Sequence, residues 1–406
     1  MENYIKRAAE KKVLEVSEHF PVLLITGPRQ VGKTTMLRQL AGKDRKYVSL
    51  DHPMIRQLAV TDPELFLQRY EPPVLIDEIQ YAPQLLPFIK LYVDEHKNKG
   101  DFWLTGSQMF HLMKDVSESL AGRVGIINLF GLSYSEIMGL ETSPFQMDCM
   151  KLKERAALRP SLQLRDLYSY IHIGAMPALY ADKQDIETYY SSYLQTYLQR
   201  DIRELTRVGD ELAFMRFLSS VAARTGQLLN YADISRDIGV SEPTVKQWLS
   251  ILVASGIVFL LEPYHNNLLK RLVKTPKLYF IDTGLCAYLS RWTSPEVLET
   301  GAMAGAFFET WVISEIIKSY YHSGKRPPLY YYRDKDQIEI DLIIYEDDTL
   351  YPIEIKKSAN PGSAALRSFK ALEKTGLKIG PGGIVCLCTD LLPADKNNWF
   401  IPAGLL

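Results

Sequence analysis

The chain has no apolar run long enough to cross a membrane. Its longest, Ile251 to Leu261, contains a serine and a glycine and falls well short of the ~20 residues a spanning helix needs. The opening residues, Met1 to Glu10, alternate charged and apolar side chains without a signal-like apolar block. Cysteine is scarce: Cys149, Cys286, Cys386 and Cys388 are too few and too dispersed for a disulfide framework, or for a tetrahedral zinc site unaided by histidine. Neither sign of charge dominates, with 47 Lys and Arg against 48 Asp and Glu. That excludes a global field drawing the protein onto nucleic acid or an anionic membrane, so any such surface is a local patch. Internal repeats and low-complexity tracts are also missing. These absences set the expectation of a cytoplasmic protein with no membrane partner.

What remains is an ordinary globular composition over 406 residues, 47% hydrophobic and 23% charged. At about 150 residues per domain, that length gives two to three domains. From Val13 to Leu140, short β-branched runs alternate with longer amphipathic segments, the pattern of a parallel sheet with helical crossovers. Strands are predicted at Val22–Thr26, Tyr47–Leu50, Val74–Ile76, Phe102–Thr105 and Gly125–Leu129.

Directly after the first strand, Gly27, Pro28, Arg29, Gln30, Val31, Gly32, Lys33 and Thr34 fit the pattern G-x-x-x-x-G-K-[ST], with helix-compatible text from Thr35 onward. The glycines let successive backbone N–H groups face a phosphate without an intervening Cβ. Lys33 supplies a mobile cation for the β- and γ-phosphates, and Thr34 a hydroxyl for Mg²⁺. The run Val74-Leu75-Ile76-Asp77-Glu78 provides a strand ending in two acids: Asp77 to hold the metal through water, Glu78 to orient and deprotonate an attacking water. The strand ending in Thr105-Gly106-Ser107-Gln108 carries hydroxyl and amide groups suited to sit between Asp77 and the γ-phosphate.

Together with Thr35, Leu50-Asp51, Asp77-Glu78-Ile79-Gln80-Tyr81-Ala82-Pro83 and Ser119-Leu120-Ala121-Gly122-Arg123, these segments resemble a family of prokaryotic AAA-type ATPases with a C-terminal domain of unknown function. The resemblance extends over nearly the whole chain. It implies that Thr105 to Gln108 form a sensor strand. It also implies that Arg123 is an arginine for the γ-phosphate, acting within the subunit or on a neighbour's nucleotide in a homo-oligomer. The likeness also covers Asp282-Thr283-Gly284-Leu285, for which the sequence offers no role.

Asp185 to Leu205 reads as one long helix with a core stripe through Tyr190, Leu194 and Tyr197. Next, Tyr231 to Ile238, the break at Gly239, and a helix opened by Ser241-Glu242-Pro243 form helix-turn-helix text, with Val245, Trp248, Leu249 and Leu252 turned inward. Lys270, Arg271, Lys274 and Lys277 follow, suited to a wing against DNA phosphates. A lid or a protein dock is the other use of such a module.

Near the C-terminus, Ile338, Ile340, Leu342 and Ile344 are expected on one strand face with Asp341 on the other, and Glu354 and Lys356 on the neighbouring hairpin strand. Asp341 and Glu354 could hold a divalent metal while Lys356 positions water. This resembles the D…E-x-K signature of the restriction-endonuclease-like fold, with Glu309 on the preceding helix as a further acid. A solvent-facing hairpin with an Asp341–Lys356 salt bridge is the plainer reading.

The expected class is therefore α/β. A P-loop NTPase parallel sheet occupies 1–141, followed by a helical linker region over 142–210, a winged-helix module over 211–290 and a restriction-endonuclease-like α/β domain over 301–406. The expected activity is Mg²⁺-dependent ATP hydrolysis coupled to action on DNA. The alternative is a nucleotide-dependent switch or scaffold that binds a protein partner and keeps an inactive nuclease fold.

Overall fold

The computed structural model describes residues 4–107, 115–198, 211–265 and 275–406. The N-terminal sheet consists of β1 (Val22–Thr26), β2 (Lys46–Ser49), β3 (Val74–Asp77), β4 (Phe102–Gly106) and β5 (Val124–Asn128), in the order β2-β3-β4-β1-β5. Every adjacent pair is parallel. All the strands predicted here are present, each end lying no more than one residue from its expected position.

A parallel sheet with helices on both sides must bury both strand faces, and β1 does so. Leu23 and Ile25 enter one core, Val22 and Leu24 the other. Helices Pro53–Thr61, Pro63–Arg69 and Leu85–His96 close the second core through Ala59, Phe66 and Ile89. The first core runs on from the sheet through Tyr190, Phe217 and Trp248 to Phe308 and Leu406. The later parts of the chain thus pack directly on the N-terminal sheet, and the loop after β1 lies among them.

Residues 142–198 contribute helices Cys149–Leu158, Leu164–Ile173, Pro177–Ala181 and Ile186–Tyr193. Asp185 caps the last of these, accepting from Thr188 N at 2.8 Å. The helix predicted over 185–205 is α-helical to Tyr193 and continues as a π-type segment, Leu194–Leu198. The rest of that prediction lies outside the described residues.

Helices Tyr231–Ile238 and Glu242–Ala254 meet across Gly239, whose φ of 72° is the left-handed conformation that ends the first helix. Ser241 opens the second, its Oγ accepting from Thr244 N at 3.3 Å. Val245, Trp248, Leu249 and Leu252 are buried, as their spacing requires. A small antiparallel sheet follows, ordered β6 (Gln227–Leu228), β8 (Lys277–Phe280), β7 (Val258–Leu261).

The C-terminal region places the buried helix Ala304–Tyr321 against a mixed sheet. The strands are β9 (Leu329–Arg333), β10 (Glu339–Glu346), β11 (Thr349–Lys356), β12 (Lys378–Ile379), β13 (Gly382–Cys386), β14 (Leu392–Pro393) and β15 (Asn398–Pro402). Their order is β14-β15-β13-β11-β10-β9, with β12 beside β11. The expected shared face of Ile338, Ile340, Leu342 and Ile344 needs correction. A register shift between Ile340 and Ile343 breaks the alternation. Ile340 and Ile343 pack beneath the 3-10 segment Ser363–Thr375, Leu342 and Ile344 enter the main core, and Ile338 is 38% exposed.

Candidate functional site

The loop after β1 runs into helix Lys33–Leu40, which sets the N-terminus of that helix at the loop. Gly27 has φ 143°, and a Cβ there would stand 1.9 Å from the Leu129 carbonyl oxygen; only glycine fits. Gly32, at φ 89°, begins the helix. Lys33 is folded back on the loop, donating from Nζ to the Gly27 and Pro28 carbonyls at 3.0 and 2.7 Å. Gln30 is fixed by Tyr189, whose hydroxyl donates to Oε1 at 2.7 Å. Arg29, Lys33, Thr34, Thr35, Glu78 and Ser107 line a cavity of about 660 Å³ over this loop.

Of the two acids at the end of β3, Asp77 touches the loop directly. Thr34 Oγ1 donates to Asp77 Oδ1 at 2.6 Å, Thr105 Oγ1 donates to the same oxygen, and the Tyr47 hydroxyl donates to Oδ2 at 3.1 Å. Glu78 has φ 59°, a backbone turn that redirects the chain off the end of β3. Its N–H donates to Thr105 Oγ1 at 3.0 Å, and its carboxylate accepts from Ser107 Oγ at 3.0 Å and from Gln80 Nε2. Burial, then the charges of Glu78 and Asp77, hold the nearby Asp51 carboxyl above its ordinary pKa. Tyr47 was not singled out from the sequence, since a strand tyrosine is no signal by itself, and Gln80 entered only within the run Asp77 to Pro83, without a role. Gln108 lies outside the described residues.

Asp282 gains a role. Its Oδ1 caps helix Thr283–Leu289 by accepting from Leu285 N at 2.6 Å, and its Oδ2 accepts from Ala175 N at 2.7 Å. Ala175 leads into helix Pro177–Ala181, and Pro177, Ala178 and Ala181 also line the cavity.

Arg123 stands away from the loop of its own chain. Its carbonyl accepts from Val22 N at 3.2 Å, which puts it at the start of β1, whereas the loop follows the strand's end. Its guanidinium grips Asp94 from Nε at 2.6 Å and from Nη2 at 2.9 Å. With about 3.3 Å per strand residue between them, Arg123 does not reach the phosphate site of its own chain.

In the C-terminal sheet, Asp341, Glu354 and Lys356 converge. Lys356 Nζ lies 3.1 Å from Asp341 Oδ2 and 2.7 Å from Glu354 Oε2. Asp341 also accepts from Ile355 N at 2.8 Å, and Glu354 from Ser368 Oγ at 2.7 Å. Burial and the Asp341 charge push the Glu354 carboxyl up to about 7. Burial works against the Lys356 ammonium, but the two carboxylates outweigh it and raise its pKa. Glu309 sits close by and accepts from the Tyr279 hydroxyl at 2.5 Å. Lys277 proves not to be a wing cation: it is buried, with Nζ 2.6 Å from Glu339 Oε1 and 3.4 Å from Glu309 Oε1. Lys270, Arg271 and Lys274 lie outside the described residues. Among the described residues, no group of three or more His, Cys, Asp or Glu is placed to hold a metal ion, and no helix is long and apolar enough to cross a membrane.

Residues 19–138 match a family model described as an AAA domain. Residues 304–406 match a domain of unknown function (DUF4143), and residues 164–296 a second domain of unknown function. An uncharacterised protein of Mycobacterium tuberculosis is 29% identical over 365 residues, covering 89% of this chain and 76% of that protein; one from Mycobacterium bovis gives the same figures. Among solved structures, a Walker-type ATPase of Pyrococcus abyssi is 16% identical, covers 71% of this chain and 96% of its own, and has a TM-score of 0.45. RuvB of Thermotoga maritima is 17% identical, covers 62% and 86%, and has a TM-score of 0.28. By the family models, the chain thus carries an AAA domain followed by domains of unknown function.

Proposed function

We propose that the AAA-type domain binds ATP with Mg²⁺ and hydrolyses it, and that nucleotide state controls the action of the C-terminal region on DNA. The observation that carries the first half is the contact of Thr34 Oγ1 with Asp77 Oδ1 at 2.6 Å, with Glu78 held beside it by Ser107. This hydroxyl and carboxylate at a helix N-terminus are a hard-oxygen donor pair that suits Mg²⁺. When bound, the ion offsets the charge of the β- and γ-phosphates. The loop amides of Gly27 to Thr35 bind the phosphates. Lys33 releases the two carbonyls it now holds and turns its ammonium to the β- and γ-oxygens. Glu78 accepts the proton of the attacking water, oriented by Ser107 and Gln80. Arg123, remote from its own site, is assigned to a neighbour's nucleotide in a homo-oligomer.

The second half draws on two features: the helix-turn-helix geometry with its small antiparallel sheet, read as a winged helix, and the convergence of Asp341, Glu354 and Lys356, read as a restriction-endonuclease-like centre. The domain division is proposed as 1–141, 142–210, 211–290 and 301–406, and the compartment as the cytoplasm. One observation favours a second reading, a nucleotide-dependent scaffold for a protein partner. Lys356 stands between both acids as their counter-ion, an arrangement that serves structure without any metal. Nicking of supercoiled plasmid with Mg²⁺ or Mn²⁺, with and without ATP, separates the two. The nuclease reading expects cutting that Asp341→Ala abolishes and Lys33→Ala uncouples from ATP, and intact plasmid throughout moves the assignment to the scaffold.

A further inference from the structure

Arg7 belongs to no motif and precedes the phosphate loop by a helix and a strand, yet it touches that loop. The residue is 3% exposed, and each of its three guanidinium nitrogens meets a fixed acceptor. Nε lies 3.0 Å from Glu136 Oε1, and Nη1 donates to the Val31 carbonyl at 2.6 Å. Nη2 donates to the carbonyls of Phe130 at 2.7 Å and Gly131 at 3.3 Å. A Cβ on Gly32 would stand 3.7 Å from Nη1, so the guanidinium packs against the loop at the edge of the cavity.

Glu136 keeps the fork in place. It is buried, and accepts from Ala8 N and Ser133 N at 2.7 Å each, the latter closing a capping box with Ser133. Arg7 and His322 hold its carboxyl down at about 2 despite burial. Arg7 is thus a neutralised, hydrogen-bonded cation whose open edge faces a backbone carbonyl.

A phosphate-binding loop works by turning consecutive N–H groups inward, which forces carbonyls such as that of Val31 outward. If nothing held that carbonyl, the loop would have to be ordered when a phosphate arrives, and the ordering entropy would be lost from affinity. We propose that Arg7 is a positioning residue for the nucleotide site: by fixing the Val31 carbonyl, it pre-shapes the backbone cradle that receives the β-phosphate. This rests on the nucleotide reading above and extends it to a residue outside the motif. Arg7 also lines the cavity, and the role assigned to it here is exerted through the loop backbone that it holds.

The test measures dissociation constants of ATP, ADP and inorganic tripolyphosphate by titration calorimetry on the full chain. Arg7→Lys keeps the charge opposite Glu136 and loses the fork. The double variant Arg7→Met with Glu136→Gln removes both buried charges together, which avoids stranding one of them. Circular dichroism confirms that each variant is folded. The expected result is a roughly tenfold loss of affinity, equal for the three ligands in both variants, with the melting temperature of the nucleotide-free protein much less affected. Tripolyphosphate has no base, so its loss isolates the loop from Tyr4 and Ile5, which also line the cavity. The inference is overturned if tripolyphosphate binds the variants as it binds the wild type, whether or not ATP weakens. A wild-type chain that binds none of the three overturns the nucleotide reading itself, a different failure.

Discussion

His322 follows helix Ala304–Tyr321 and is 1% exposed, with its ring packed into the ATPase domain. Nε2 accepts from Phe130 N at 3.3 Å, and Nδ1 lies 3.5 Å from Glu136 Oε2. Burial drives its pKa from an ordinary 6.5 to about 4; Glu136 opposes the shift, while Arg7 and Lys318 add to it. Because the native value is the lower one, the unfolded chain takes up the proton first. Native stability is therefore unaffected above pH 6.5, falls as the pH drops from 6.5 to 4, and loses no more to this group below that. At about 1.4 kcal/mol per unit the full loss is ~3 kcal/mol, a large part of the stability of a typical domain. Glu136 titrates in a separate window, since the stability it provides is lost only between its ordinary 4.5 and about 2. Denaturant midpoints measured from neutral pH to pH ~4 should fall more steeply for the wild type than for His322→Gln, which carries no proton to gain. Parallel profiles would refute the reasoning, because a histidine buried neutral at this junction cannot be silent in that range.

Three further outcomes follow from the same geometry. Gly27→Ala forces a Cβ to within 1.9 Å of the Leu129 carbonyl oxygen at φ 143°, so ATP affinity should drop below detection in calorimetry even if the rest of the chain folds. Ser107→Ala releases the Glu78 carboxylate from one of its donors, and should lower kcat for ATP hydrolysis roughly tenfold with little change in ATP affinity. Asp282→Asn leaves helix Thr283–Leu289 capped but weakens the hold on Ala175 N; thermal denaturation should show a loss of about 1–3 kcal/mol, accompanied by weaker ATP binding through helix Pro177–Ala181.

The ATPase fold was legible because its signals are local. Val22–Thr26 and Val74–Asp77 are short, apolar and β-branched, and each ends in residues with a fixed chemical use. The convergence of Asp341, Glu354 and Lys356 was legible for the same reason: one hairpin with a period of two places them together. The period misled only where the register shift beside Ile340 turned the strand. What escaped the sequence depends on long-range packing. Arg7 meets Glu136, Lys277 turns inward to Glu309 and Glu339, and Asp282 reaches Ala175, pairings that no spacing announces. Arg123 shows the same limit: its motif position left open whether it serves its own subunit or a neighbour, and only the fold places it at the start of β1.

The central claim is that Lys33, Thr34, Asp77 and Glu78 form a working ATP hydrolysis site. Steady-state phosphate release with Mg²⁺-ATP, measured together with ATP affinity for wild type, Lys33→Ala and Glu78→Gln, tests it most directly. The account predicts turnover by the wild type and weak binding with no turnover in Lys33→Ala. For Glu78→Gln it predicts near-normal binding with turnover reduced at least about a hundredfold. Turnover in Glu78→Gln equal to the wild type, or a wild type that binds ATP without ever releasing phosphate, would contradict it.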